Sequence, residues 1–344
     1  MKLKQGKKAC IIGAGAWAGA LGVVLSDNGY SVALWARSED TVSYFETNQG
    51  VPRLPGITFP KNITVTADVD QALSGASLVV LAIPSSALAQ VAGEIACRFP
   101  DDSLVVTATK GFDLESLRRP FQVWIDANPS IRDRMCVISG PNFAAEISKR
   151  LPAATVVAAL EESTRLAVQH AFMTSYFRVY THVDVTGVEI GGALKNVIAL
   201  ACGMAQGMGA GYNVQAAIIS RGIAEITRLG VALGAQPLTF AGLSGLGDLV
   251  LTCTGHLSRN RQAGIAVGKG ESIEGFLART GYTVEGLQTV KAAMQLSVAH
   301  NVQMPITDVV YRILYEDLSP RKGLYEAMNR ERKPEHEEYF FRLC

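Results

Sequence analysis

Residues 8–18 read Lys8-Ala9-Cys10-Ile11-Ile12-Gly13-Ala14-Gly15-Ala16-Trp17-Ala18, a short apolar run that breaks into glycines and then into a helical pattern. This is the entry of a dinucleotide-binding βαβ unit. Gly13 allows the tight turn after the first strand, Gly15 lets a pyrophosphate approach the backbone, and Ala18 packs the helix on the sheet. The N–H groups and positive dipole end of the helix that follows would face the phosphates. The start Met1-Lys2-Leu3-Lys4, with Lys7 and Lys8 next and no charge over 9–26, is also the pattern of a signal peptide, Ala16-Trp17-Ala18 standing in for its cleavage site. The register of G-x-G-x-x-A, and a second strand candidate at 31–35 after Asn28-Gly29, favour the βαβ reading.

Working outward, further strand candidates fall at 63–66, 78–83, 104–107, 135–139, 154–158 and 178–181. Helix candidates lie between most of them, for example 86–97, 142–149 and 161–173. This alternation predicts an α/β Rossmann-type domain, a mostly parallel sheet covered on both faces, with ligands beyond the carboxyl ends of its strands. After about residue 188 the strand signals largely vanish, and helical patterns follow at 189–207, 213–233, 259–267, 285–300 and 305–314. The chain is therefore expected to divide into a dinucleotide-binding domain over 1–188 and an all-α domain over 189–330 for substrate and dimer contacts. Residues 331–344 are expected to form a charged, flexible tail.

Of the 344 residues, 48% are hydrophobic and 18% charged, enough to bury a large core. The 32 basic and 31 acidic residues leave a net charge of +1, and no basic stripe points to nucleic acid. Cys10, Cys97, Cys136, Cys202, Cys253 and Cys344 are scattered without a C-x-x-C pair, as expected of buried, reduced thiols in a cytoplasmic protein. The histidines are equally dispersed, so no metal site is expected. Residues 196–220 carry no Asp, Glu, Lys or Arg. Asn196, Gln206, Asn213 and Gln215, with Gly203, Gly207, Gly209 and Gly211, interrupt that stretch, which predicts a buried helix–turn–helix rather than a membrane span.

Two charges stand alone. At this composition one is due about every five or six residues. Between Glu189 and Arg221 the chain offers only Lys195, and between Arg228 and Arg259 only Asp248. Lys195 lies in what reads as an apolar helix start, with Gly191 and Gly192 nearby. Asp248 lies in L-S-G-L-G-D-L-V-L-T. A lone buried charge costs several kcal/mol unless paired, so the two are expected close together or on a common polar ligand. A lysine so placed can have a lowered pKa and exchange protons near neutrality. The bland alternatives are a snorkelling Lys195 and an Asp248 that merely caps a helix.

Three further segments are candidates. In Ser258-Arg259-Asn260-Arg261 the serine is a good N-cap, which puts Arg259 and Asn260 at the positive end of a helix, where an anion is welcome. Thr107-Ala108-Thr109-Lys110-Gly111 and Ser139-Gly140-Pro141-Asn142 each follow a strand, so Lys110, Gly140 and Asn142 fall at the ligand edge of the sheet. The second strand ends L-W-A-R without an acidic residue for a ribose 2′-hydroxyl, and Arg37 is placed to accept a 2′-phosphate.

In this order and spacing the pieces resemble the bacterial-type NAD(P)-dependent sn-glycerol-3-phosphate dehydrogenase family. The matching segments are G-A-G-A-W, A-I-P-S, A-T-K-G, I-S-G-P-N-F-A, G-G-A-L-K-N-V-I-A, G-L-G-D-L-V-L-T-C-T, S-R-N-R, T-V-E-G and M-P-I-T, from about Lys8 to about Met328. The resemblance implies reversible, NADPH- or NADH-dependent reduction of dihydroxyacetone phosphate to sn-glycerol 3-phosphate, feeding phospholipid synthesis, by a homodimer. It implies Lys195 as acid/base and Asp248 as its partner. It places Lys110, Gly140, Asn142, Asn196, Thr252, Ser258, Arg259 and Asn260 around the substrate, with Arg259 and Asn260 on its phosphate. It places Gly13, Gly15, Ala16, Trp17, Arg37, Lys110, Ala144, Arg259, Thr283 and Glu285 around the cofactor.

The sequence departs from the family pattern at Ala18, where a glycine is usual, at Thr283, where a valine is common, and at Asn142, which replaces a small hydroxyl residue. Asn142 is expected to donate to a substrate hydroxyl. Two other readings stay open: a β-hydroxyacid or nucleotide-sugar dehydrogenase, which S-R-N-R and G-L-G-D-L-V disfavour, and a non-enzymatic dinucleotide sensor, which leaves Lys195 and Asp248 unexplained.

Overall fold

The computed structural model describes residues 7–332, 334 and 335. The basic start at Met1, Lys2 and Lys4, Cys344 and most of the expected tail lie outside them. The strands are β1 (Lys8–Ile12), β2 (Ser31–Trp35), β3 (Ile63–Thr66), β4 (Ala76–Leu81), β5 (Leu104–Thr107), β6 (Met135–Ser139), β7 (Ala153–Ala159) and β8 (Phe177–His182). Between them run α1 (Ala16–Asp27), α2 (Glu39–Asn48), α3 (Val69–Leu73), α4 (Leu88–Ile95), α5 (Pro120–Ala127), α6 (Ala144–Ile147) and α7 (Glu162–Phe172). The remainder is helical: α8 (Val185–Gly207), α9 (Tyr212–Ala232), α10 (Asp248–Thr254), α11 (Arg259–Gly268), α12 (Ile273–Thr280), α13 (Glu285–Ala299), α14 (Pro305–Tyr315) and α15 (Pro320–Met328).

The strands form one eight-stranded sheet in the order β3-β2-β1-β4-β5-β6-β7-β8. All pairs are parallel except β6 with β7. The run that opens the chain's described part is an interior strand, third in that order: Ile12 sits between Trp35 of β2 and Leu81 of β4. A signal peptide is not what this segment builds. Alternate residues of β1 feed opposite faces, as a two-residue period requires. Ala9 and Ile11 pack with Leu21, Leu25 and Leu34 on one side. Cys10 and Ile12 pack with Val79, Leu88 and Trp124 on the other.

Helix α8 is the axis of the helical half. Nearly every residue of it is buried, and two apolar clusters wrap it, one with Ile190, Leu194 and Ile198, the other with Val197, Leu200 and Met204. A helix hydrophobic all round belongs in a core or a membrane. By length and hydropathy α8 qualifies for either, yet 94% of its apolar window is buried inside the fold. Turn residues 208–211 return the chain into α9, so the helix–turn–helix forms, but only its first arm is buried: residues 212–220 are exposed or half-buried.

Lys195 does not open this helix, as its sequence context suggested, but sits midway along it. The start is Asp184, whose carboxylate accepts from Gly187 N at 2.8 Å and also receives Gln236 N and the Thr239 hydroxyl. Cys97 also departs from expectation: it is exposed, while Cys10, Cys136, Cys202 and Cys253 are buried free thiols.

Candidate active site

Strand order reverses between β1 and β4, and the crevice beyond the carboxyl ends of strands at such a switch point is where doubly wound sheets bind ligands. The residues there fit a dinucleotide. Gly13 has φ +121°, and a side chain on it would press the Ala82 carbonyl oxygen at 2.5 Å. Gly15 caps α1 with no side-chain hydrogen bond and faces open space, so the first N–H groups of the helix are left for an anion. The buried indole Nε1 of Trp17 has no partner. Ala16 is the first residue of α1. Ala144 opens α6 and packs into the same core cluster as α1. Arg37 follows β2 and is exposed.

The two isolated charges meet at this edge. Lys195 Nζ donates to Asp248 Oδ1 and, at 2.8 Å, to Thr252 Oγ1. Lys110 Nζ donates to the other carboxylate oxygen of Asp248 at 2.6 Å and reaches the Gly140 carbonyl at 3.4 Å. The Asp248 side chain is fully buried and Lys195 is 7% exposed. Burial pulls the Lys195 ammonium down from its ordinary value to about 8. Asp248 opposes that fall and Lys110 adds to it. Asp248 is therefore not a simple cap: a π turn over Leu243–Gly247 delivers it as the first residue of α10, with Thr252 one turn on. Gly191 and Gly192 make room for this. A side chain on Gly191 would strike the Ser244 carbonyl, and one on Gly192 would meet Ser139 Oγ at 2.5 Å.

The anion end is built on α11. Ser258 Oγ accepts from Arg261 N at 3.2 Å as the N-cap, so its hydroxyl is already engaged. Arg259 is exposed in area, but its guanidinium is crowded. Desolvation draws its pKa down, Glu285 resists and Arg53 contributes. Glu285 in turn accepts from Ser85 Oγ at 2.7 Å, and burial raises its pKa against the pull of Ser85 and Arg259. Thr283, half-buried, precedes Glu285 in the approach to α13. Asn260 departs from its expected part. Its side chain is committed to Asn196 Oδ1 and to Gly286 N, each at 2.9 Å, which leaves its backbone N–H for a phosphate.

Asn142 differs too. Its Nδ2 donates to the Pro141 and Ala154 carbonyls, both at 2.9 Å, so no donor is left for a substrate. What remains is Oδ1, a buried acceptor without a partner. Gly140, beside it, lies so close to β7 that a Cβ would be 2.9 Å from Thr155 Cα. Ser85, Arg53 and Ser139 join the site without having been expected there. Ser85 and Ser139 lie in strand-end segments already singled out, whereas nothing in the loop around Arg53 marks it. Among the described residues no group of His, Cys, Asp and Glu is arranged to hold a metal.

Residues 8–165 match the model of the NAD-dependent glycerol-3-phosphate dehydrogenase N-terminus, and residues 184–325 match that of its C-terminus. The chain belongs to the NAD-dependent glycerol-3-phosphate dehydrogenase family. Among family relatives, a glycerol-3-phosphate dehydrogenase [NAD(P)+] of Pelotomaculum thermopropionicum is 46% identical over 333 residues, 96% of this chain and 95% of the relative. One from Mycobacterium tuberculosis is 44% identical over 326 residues, 94% and 97% of the two chains. The crystal structure of a glycerol-3-phosphate dehydrogenase from Coxiella burnetii superposes with a TM-score of 0.90 at 34% identity, covering 94% of this chain and 99% of that one.

Proposed function

We propose that the protein catalyses the NAD(P)-dependent, reversible reduction of dihydroxyacetone phosphate to sn-glycerol 3-phosphate, with Lys195 as the acid and base. The nicotinamide, when bound, supplies or accepts the hydride. Residues 13–17 hold the pyrophosphate and Arg37 takes a 2′-phosphate, so NADPH is used at least as well as NADH. Lys195 protonates the carbonyl oxygen as it gains charge and removes the proton in the reverse direction. Asp248 and Thr252 hold the lysine; Lys110 and the Asn142 acceptor hold the substrate. Arg259 and the N-terminus of α11 take the phosphate. Two lysines against one carboxylate leave the recess one unit positive, which suits a phosphorylated ketone.

The observation that carries this reading is the buried ammonium of Lys195, pinned by Asp248 and Thr252 at the carboxyl edge of the sheet. The test is NADPH oxidation with dihydroxyacetone phosphate against dihydroxyacetone. Turnover that collapses without the phosphate supports it, and equal turnover on both overturns the Arg259 assignment.

The same proposal divides the chain into a cofactor half, 1–188, and a substrate half, 189–330. It makes the protein a cytoplasmic homodimer that supplies phospholipid synthesis. The free thiols suit a reducing compartment. The uncharged first half of α9, with Tyr212 87% exposed, is the surface a partner copy would cover, and sedimentation equilibrium tests it.

A further inference from the structure

Helix α8 carries a second buried charge, which the proposed reaction does not use. Glu189 is 5% exposed and lies about 9 Å along the helix from Lys195. Both its oxygens are taken up by the start of α5. Arg119 Nη1 donates to Oε2 at 2.5 Å, and the Phe121 N–H donates to Oε1 at 2.7 Å. Arg119 is the N-cap of α5, so the Phe121 N–H is one of the donors that a helix leaves free in its first turn. Burial raises the pKa of this carboxyl; Arg119 and the Phe121 N–H oppose the rise.

The segment that ends at Arg119 begins at the site. It leaves β5 through Lys110, whose ammonium donates to Asp248. Phe112, Leu114 and Leu117 then pack into the apolar cluster of Ile190 and Leu194 of α8. Leu117 has φ +57°, a left-handed conformation that a bulky residue keeps only where its surroundings enforce it. Residues 110–119 thus form a strap against α8, tied to Asp248 at one end and to Glu189 at the other. Lys110 and Lys195 are like charges on one carboxylate, so each pushes the other away. Lys110, the more exposed of the two, is the one with room to withdraw.

We propose that Arg119 and Glu189 are positioning residues, whose buried ion pair fastens this strap to α8 and keeps Lys110 beside Lys195 on Asp248. The inference rests on the proposed function, which puts both lysines at the substrate. A buried pair adds little net stability over an apolar replacement; what it fixes is one geometry.

The test uses the full-length enzyme. Glu189→Gln keeps an acceptor for the Phe121 N–H and removes the charge that holds Arg119. Arg119→Met, with an apolar chain in place of the guanidinium, guards against a folding failure of the first variant. Each should lower kcat/KM for dihydroxyacetone phosphate by about tenfold, the scale of a lost charge-assisted hydrogen bond. Arg119→Lys, which keeps the charge, should recover most of the loss. The pH profile separates positioning from a general loosening of the fold. Among the described residues the charged groups that act on Lys195 are Asp248, from α10, which raises its pKa, and Lys110, from the end of β5, which lowers it. Once Lys110 withdraws, the inflection of ketone reduction in kcat/KM should move upward from its wild-type position. A lowered rate with an unmoved inflection would overturn the proposal. So would losses that multiply when Glu189→Gln is added to Lys110→Ala, because the pair is held to act only through Lys110. A wild-type enzyme that does not reduce dihydroxyacetone phosphate sinks the functional reading instead. The placement is then read from the titration of Lys195 by nuclear magnetic resonance of isotope-labelled lysine: an upward shift in Glu189→Gln supports it, and an unchanged titration refutes it.

Discussion

Lys195 and Lys110 grip the two oxygens of a single carboxylate, that of Asp248, from a helix and a strand end that lie far apart in the chain. The arrangement makes Asp248 the hinge of the site's charge. Removing one lysine leaves the carboxylate paired. Removing the carboxylate leaves two cations facing each other with little solvent, the situation in which a broken buried pair costs about 3–5 kcal/mol.

Lys195→Ala should therefore fold normally, bind NADPH as before and lose kcat by roughly 10²–10⁴-fold, the usual share of a positioned acid/base. Asp248→Asn should also lose activity, but with a clear fall in melting temperature. Fluorescence titration with NADPH, steady-state kinetics and thermal unfolding separate the two patterns. Undiminished turnover in Lys195→Ala would remove the lysine from the mechanism.

The lowered pKa of Lys195, about 8, gives the two directions opposite pH dependence. Ketone reduction needs the ammonium, which predominates below that value, so its rate should fall as pH rises through it. Oxidation of sn-glycerol 3-phosphate needs the free amine and should rise over the same interval. The inflections are read from kcat/KM in each direction, since kcat/KM reports groups of the free enzyme. Parallel profiles would assign the titration to another group.

Arg37 stands exposed just past β2 with no acidic residue beside it in the strand end. Arg37→Ala should weaken NADPH binding by about tenfold or more, the size of a lost charge-assisted phosphate contact. NADH, which has no 2′-phosphate, should bind as before. Equal losses for both cofactors would place the 2′-phosphate elsewhere.

The strand candidate at 31–35 coincides with β2 and those at 63–66, 104–107 and 135–139 with β3, β5 and β6, because buried parallel strands are short apolar runs between turn residues. Lys195 and Asp248 were legible as a pair because an unpaired charge cannot be left in such surroundings. The start of α8 was not, since Val185 and Thr186 are weak helix formers and the signal lies in the Asp184 cap. Nor was α10, hidden behind the glycines of its π turn. The direction of each side-chain amide was beyond reach as well. Asn142 and Asn260 looked like substrate donors, and only their neighbours in space reveal that one has spent its N–H groups on carbonyls and the other bridges helices.

The glycines that interrupt the uncharged stretch acquire a different meaning in three dimensions, and with it a further prediction. Gly203 and Gly207 of α8 face Gly264 and Gly268 of α11, spaced four residues apart on each helix, so that the two backbones touch. A Cβ on Gly203 would run into the Arg261 carbonyl and lie 2.9 Å from Gly264 Cα; one on Gly264 would run into the Leu200 carbonyl. Both obstacles are backbone, so relief requires the helices to separate. Overpacking of this kind costs about 1–3 kcal/mol. Because α8 carries Lys195 and α11 begins at Arg259, separation also moves the acid away from the phosphate grip. Gly264→Ala should thus lower the melting temperature and raise KM for dihydroxyacetone phosphate together, while NADPH, held mainly at α1, binds normally. Gly270→Ala, just beyond the end of α11, where a Cβ would meet nothing within 4 Å but the backbone has φ +95°, should destabilise through strain alone and leave KM untouched. If Gly264→Ala loses stability without any change in KM, the helix seam supports the fold but does not set the distance between the two ends of the site.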